Sequence, residues 1–130
     1  MQPPRHTPRG EHQQRERERV DASPTLAETF KELTALTVDL GHFDAAGEFR
    51  CSQVKYTVNL QGAKAVFSFG CHNPECVGGD FDLSTPLARA IAGHRDEVTG
   101  ESRCPGWRSR TTIGSIHCDN LLRYRFILKY

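Results

Sequence analysis

The hydrophobic residues between positions 23 and 41 recur at spacings of three and four, which would place them on one face of an α-helix. Ser23 and Pro24 precede this stripe as an N-cap and a first helical residue, and Gly41 follows it as a C-terminal cap. The pattern predicts a helix that covers a sheet, with a dimer seam as the alternative use of its apolar face. The stripe consists of Leu26, Phe30, Leu33, Thr37 and Leu40.

The period changes to two farther along the chain. Apolar residues from Val54 to Leu60 alternate with polar ones, a turn follows at residues 61–64, and Phe67 and Phe69 share one side of the next stretch. This pattern predicts a hairpin that runs directly into Cys71.

The last part of the chain contains one predicted helix and one predicted strand. Thr85 and Pro86 begin a short helix that ends at Gly93, and residues 93–102 form a polar loop. Residues 122–130 alternate between apolar and mainly basic side chains, which is typical of a half-buried strand. The predicted fold class is therefore α+β, a small antiparallel sheet with a covering N-terminal helix and a second short helix.

Residues 1–22 have almost nothing to bury. Val20 is the one sizeable aliphatic residue after Met1, and arginine and glutamate alternate between positions 15 and 19. This composition predicts a polar tail that is disordered or a frayed helix, followed by a single domain over residues 23–130. A basic arm is the alternative for the tail.

The strongest chemical signal is a set of four cysteines in the C-terminal half: Cys71, Cys76, Cys104 and Cys118. The first two close a tight loop, and Pro105 and Gly106 give the third the turn chemistry of a ligand loop. Four thiolates held by turn residues suit Zn²⁺ in a closed structural site, which would stabilise the 23–130 domain. The spacings and the placement at strand ends resemble those of zinc-ribbon or zinc-knuckle modules.

Two other residues bear on the ligand set. His117 adjoins Cys118, and a neutral imidazole is an acceptable fourth ligand, so one of the two is expected to bind the ion while the other faces away. Cys51 is far from the others in sequence and is interpreted as a small buried residue of a strand.

A catalytic metal is the weaker interpretation of the cysteines. Glu75 lies within the first ligand loop and is the conceivable general base of a zinc-dependent hydrolase. The chain lacks, however, the histidine and glutamate motifs of deaminases and metalloproteases, as well as a P-loop and a dinucleotide-binding glycine pattern. A protein that is not an enzyme is therefore favoured.

The net charge of +1 is unevenly distributed. Residues 102–130 carry six basic residues against one acidic residue, whereas residues 23–101 have a net charge of −5. Basic charge beside aromatic rings is typical of nucleic-acid binding. The candidate surface comprises Trp107, Arg108, Arg110, Arg123, Tyr124 and Arg125, although packing against the metal loop explains Trp107, and packing in the sheet explains Tyr124, better than base stacking does when each is taken singly.

The sequence thus predicts a small zinc-binding module whose basic C-terminal surface binds DNA or RNA. The alternative is a protein-interaction or assembly module that binds an acidic partner or a second copy of itself. No apolar stretch at the N-terminus suggests a signal peptide and none is long enough to cross a bilayer, so a cytoplasmic protein is expected, with no membrane partner. Thiols are kept reduced in that compartment, and the odd count of five cysteines also favours metal binding over disulfides.

Overall fold

A computed structural model describes residues 8–48, 50–71, 76–77, 79–111 and 114–130 of the chain. It contains both helices and antiparallel sheets, which confirms the α+β class. The helices are α1 (Pro8–Ala22), α2 (Leu26–Thr29) and α3 (Ser84–Ala92). The strands are β1 (Ala35–Phe43), β2 (Arg50–Thr57), β3 (Ser68–Gly70), β4 (Asp80–Asp82), β5 (Glu97–Arg103), β6 (Trp107–Thr111), β7 (Gly114–His117) and β8 (Leu121–Lys129).

The main sheet has four antiparallel strands in the order β2-β1-β8-β5. Two small sheets, β3-β4 and β6-β7, complete the described strands. One face of the main sheet carries Leu36, Val38, Leu122 and Phe126, all buried in a core that also includes the apolar face of α3. The opposite face of the sheet is mainly polar, so the helices and the β3-β4 sheet belong to one side.

The predicted helix over residues 24–40 is wrong. Thr25 starts a helix of only four residues through a capping box in which its hydroxyl accepts from the Glu28 N–H and the Glu28 carboxylate accepts from the Thr25 N–H. Ser23 instead donates its hydroxyl to the carbonyl of Val20 at the end of α1. From Ala35 onward the chain is strand β1 in the middle of the main sheet.

The sequence in β1 has its own period of two, which the helical stripe conceals. Leu36, Val38 and Leu40 are buried, while Thr37 and Asp39 between them are only partly buried. Neighbours on both sides supply the hydrogen bonds of the strand, because β1 pairs with β2 and with β8 along nearly its full length. Pairing with two distant segments therefore outweighs the local helical spacing.

The predicted hairpin between residues 54 and 69 is also wrong. Strand β2 pairs with β1 and not with the segment that follows it, while β3 pairs with β4. The predicted polar loop at residues 93–102 contains edge strand β5, whose alternate residues are exposed. An edge strand can have few apolar residues, and this scarcity makes β5 hard to recognise from the sequence.

The predicted C-terminal strand and second helix are confirmed by β8 and α3. Within the polar N-terminal segment, the described residues from Pro8 to Ala22 form helix α1. The division into a tail and one domain stays a prediction, since α1 contacts the rest of the chain through side chains of β4.

Candidate metal centre

The structure brings the four predicted cysteines together. The Sγ atoms of Cys71, Cys76, Cys104 and Cys118 all lie within 4.8 Å of one another. The shortest separations are 3.6 Å between Cys71 and Cys118 and 3.4 Å between Cys76 and Cys104. A tetrahedral ion with metal–sulfur bonds of about 2.3 Å requires sulfur separations of about 3.8 Å. The sulfurs are too far apart for disulfide bonds of roughly 2.05 Å, so the arrangement fits a metal site.

Three of the four thiols lie next to the ends of different strands. Cys71 follows β3, Cys104 follows β5, and Cys118 lies between β7 and β8, while Cys76 begins the short described segment before Val77. An ion bound to all four would therefore connect the β3-β4 sheet, the β6-β7 hairpin and the main sheet. The four thiols could therefore serve as ligands that join separate parts of the fold.

Backbone hydrogen bonds fix the positions of three ligands independently of any ion. The N–H of Cys71 donates to the Gly79 carbonyl at 2.8 Å, and the N–H of Cys118 donates to the Gly106 carbonyl at 2.9 Å. The N–H of Cys104 donates to a carbonyl before β8, also at 2.8 Å. Main-chain contacts thus hold three of the four thiols in place without an ion.

Two glycines allow the backbone to approach the sulfurs. A Cβ atom on Gly79 would lie 2.2 Å from the Cys76 sulfur and 2.4 Å from the Cys104 sulfur. A Cβ atom on Gly106 would lie 2.5 Å from the Cys76 sulfur, and the Gly106 N–H points to the Cys104 sulfur at 3.4 Å. The sequence pattern predicts only a turn at Gly106 and no close approach at Gly79, although a glycine near each cysteine pair is the signal that identifies both.

The four thiols are buried, and burial disfavours their charged thiolate forms. The four cysteines are 0 to 7% exposed. Burial raises the pKa of the Cys76 thiol to about 12, and a hydrogen bond with Cys71, followed by burial, raises the pKa of Cys104. Four thiolates at these positions consequently require a cation to balance their charge.

The structure describes only part of the other residues that the sequence singles out near this site. His117 is the last residue of β7 and pairs with Trp107, but its side chain lies outside the described part of the chain. Cys118 supplies the fourth sulfur of the cluster. Cys51 lies in β2 with its side chain likewise outside the described part, and Glu75 falls in the undescribed segment 72–75.

Arg123 and Arg125 each contact other side chains of the main sheet. The Arg123 guanidinium lies 4.6 Å from the centroid of the Phe43 ring and donates to Glu101 at 3.0 Å. Arg125 donates to Glu97 at 2.6 Å. Both arginines line a shallow groove of about 400 Å³ on the polar face of the main sheet. Acidic neighbours therefore offset much of the positive charge that the sequence predicts for this strand.

Trp107, Arg108 and Arg110 lie elsewhere, in the small β6-β7 sheet. Trp107 is partly buried and forms an antiparallel bridge with Val77, exchanging two 2.8 Å hydrogen bonds with it. The side chains of the two arginines lie outside the described part. The predicted surface is therefore distributed over two sheets, and the described side chains do not form one basic patch.

Tyr124 packs as a residue of the main sheet. Its ring stacks on Phe126 with centroids 5.0 Å apart, and it covers Gly100, where a Cβ atom would lie 2.3 Å from the tyrosine oxygen. The strand glycine is therefore needed to accommodate the ring.

Among the described residues, no helix has the length and apolar character needed to span a membrane. No family model matches the chain, and searches of curated proteins and of solved structures find no match either. Function must therefore be argued from the site itself.

Proposed function

We propose that the four cysteines bind Zn²⁺ as a structural centre and that this centre holds the β6-β7 hairpin in place as a binding surface. The observation that carries the proposal is the closure of the site, since all four sulfurs converge and the cysteines are at most 7% exposed. A catalytic zinc needs an open position for water, which a buried set of four thiolates does not provide. The geometry therefore favours a structural role over a hydrolase.

Thiolate ligands support zinc over harder ions. Cysteine sulfurs select Zn²⁺, Cu⁺ and iron–sulfur chemistry, and a tetrahedral set of four is typical of structural zinc. Metal analysis of the purified protein tests this assignment. We expect at least one equivalent of zinc, with one equivalent lost in Cys104→Ser and none lost in Cys51→Ser. A folded protein without metal would contradict it.

The proposed ligand of the hairpin surface is DNA or RNA. The hairpin lies between two metal ligands, Cys104 and Cys118, and carries Arg108 and Arg110 beside a partly buried tryptophan. The paired arginines of β8 have acidic neighbours, which leaves the hairpin as the stronger candidate for phosphate contacts.

Two double variants separate these surfaces. One variant combines Arg108→Gln with Arg110→Gln, and the other combines Arg123→Gln with Arg125→Gln. Each variant loses two positive charges. We expect the hairpin pair to weaken binding to a mixed-sequence oligonucleotide more than the β8 pair, with binding falling steeply as salt rises. No binding to DNA or RNA at low salt would rule this function out.

One observation favours a second candidate, assembly with another copy of the chain. Val54 and Tyr56 are 45% and 38% exposed and lie on edge strand β2, whose outer backbone groups can pair with another strand. Light scattering of the wild type and of Val54→Lys tests this candidate. A dimer that becomes monomeric in the variant would support assembly.

A further inference from the structure

Helix α1 is held to the rest of the chain without a buried apolar face. Among residues 10–22, whose side chains the structure describes, none is buried. The helix instead contacts β4 through polar groups, with His12 against Asp80 and Arg19 against Asp82. Exposed ion pairs alone contribute little free energy, so a further polar interaction would be needed to hold the helix firmly.

Three polar side chains at this contact, those of His12, Glu16 and Asp80, converge at one point. His12 and Glu16 are four residues apart and share one face of α1, and Asp80 approaches from β4. One nitrogen or oxygen atom from each residue lies within 4.8 Å of the others, and the His12 Nε2 and Asp80 Oδ2 atoms are 2.6 Å apart. Their side chains are 30%, 23% and 17% exposed in the order His12, Glu16 and Asp80. The group is sheltered but accessible to water.

Arg19 shares this location but leaves room for another cation. Its Nη2 atom lies 2.8 Å from Glu16 Oε2 and 3.2 Å from Asp82 Oδ2. A carboxylate has about four lone-pair sites on its two oxygens, so Glu16 can accept from Arg19 and still bind a metal. The single positive charge of Arg19 does not neutralise the three nearby carboxylates of Glu16, Asp80 and Asp82.

We propose that His12, Glu16 and Asp80 bind a second divalent metal ion, which fastens α1 to β4. One imidazole and two carboxylates form a mixed nitrogen and oxygen donor set, which suits a first-row ion such as Zn²⁺ or Mn²⁺. Water completes the coordination on the exposed side. This site does not depend on the identity of the ion at the cysteines.

The second site borders the cysteine centre. A small cavity of about 50 Å³ lies between His12 and Asp80 on one side and Cys71 and Cys76 on the other. The donor sets remain distinct, since one contains only thiols and the other none. An experiment must therefore count the two ions separately.

The test is a calorimetric titration of the full chain with Zn²⁺, using protein whose cysteine centre already carries its ion. We expect one further saturable equivalent. Glu16→Gln and Asp80→Asn should each weaken it at least about tenfold, since even outer-shell partners of a metal cost that much. Glu18→Gln is the matched control, because it removes the same charge from an exposed position of α1. Metal analysis of each variant after dialysis against metal-free buffer, before the titration, reports the ion at the cysteine centre.

A second readout distinguishes a site that fastens the helix from a chance surface contact. Hydrogen exchange of the α1 amides should slow when the second equivalent binds, and Asp80→Asn should abolish this protection. The proposal is overturned if no equivalent binds beyond the cysteine centre, or if Glu18→Gln weakens binding as much as Glu16→Gln. Unchanged α1 exchange at saturation would equally overturn the fastening role.

Discussion

The two ligand clusters of this protein are neighbours with opposite characters. The cysteine cluster is part of the hydrophobic core, is at most 7% exposed and takes its ligands from positions near strand ends. The His12 cluster is 17 to 30% exposed and takes two of its three potential ligands from α1, in which none of the described side chains of residues 10–22 is buried. The difference predicts different roles for the two proposed ions, because an ion in the core would stabilise the whole fold whereas an ion at the edge would hold only α1 against β4.

Loss of the ion from the cysteine cluster should have the largest effect. Cys104→Ser, or a strong chelator, would remove the proposed ion and leave the buried thiols without it. We expect the free energy of unfolding to fall by more than about 4 kcal/mol, as is typical when a structural metal is lost. Urea denaturation measures the change, and Cys51→Ser is the control that should retain both ion and stability. If the metal-free protein were as stable as the metal-bound protein, the cysteine cluster would not have the larger effect on the free energy of unfolding.

The next largest effect concerns the backbone around the sulfurs. Gly106→Ala places a Cβ atom 2.5 Å from the Cys76 sulfur and 2.6 Å from the Val77 carbonyl oxygen, so the ligand loop must shift. The expected cost is about 1–3 kcal/mol, as for other overpacked sites, with weaker zinc binding in a chelator competition.

Gly70→Ala is the matched control for that substitution. Its Cβ atom would meet nothing nearer than an Asp80 oxygen at 3.9 Å. We expect thermal denaturation and zinc affinity close to those of the wild type. A similar loss in both variants would show that the close approach at Gly106 does not matter.

Disruption of the edge cluster should be local. Asp80→Asn removes the charge that faces His12 and one ligand of the proposed second site. We expect the free energy of unfolding to change by less than about 1 kcal/mol, the range of exposed ion pairs, while α1 loses its protection from hydrogen exchange. Asp21→Asn, at an exposed position of the same helix, should leave α1 protection unchanged. Loss of the cysteine-bound ion in Asp80→Asn would show that the clusters act as one.

The smallest effect is expected at the fully exposed pair on the other face of the sheet. A hydrogen bond from Arg125 lowers the pKa of Glu97. The contribution of this pair to stability is therefore present above the unfolded-state pKa of glutamate and is lost as the pH falls through the lowered value. An NMR titration should show the pKa of Glu97 rising toward its ordinary value in Arg125→Gln, but not in Arg123→Gln. A Glu97 pKa that is the same in Arg125→Gln as in the wild type would refute this assignment.

Some of these features can be predicted from the chain because the signals are local. Strand β8 alternates apolar and basic residues without a competing pattern, and α3 has proline in its first turn and glycine after its end. The cysteines are recognisable because few other roles explain several thiols beside turn residues. Their convergence is the part of the predicted site that the structure supports most directly.

Other features depend on partners that are distant in sequence. Residues 35–43 carry a helical stripe and a strand alternation at once, and only pairing with β2 and β8 selects the strand. Strand β5 has few apolar residues, and its place in the sheet depends on its hydrogen bonds with β8.

The sequence by itself determined the chemistry, namely four thiols, a basic C-terminal segment and an apolar alternation that forms the last strand. Tertiary structure alone decided where that chemistry lies. It paired Arg123 and Arg125 with glutamates from a neighbouring strand and brought Asp80 to His12 across 68 residues of chain. The physical reason is that composition and period are properties of a segment, whereas charge pairing and ligand geometry depend on which segments the sheet brings together.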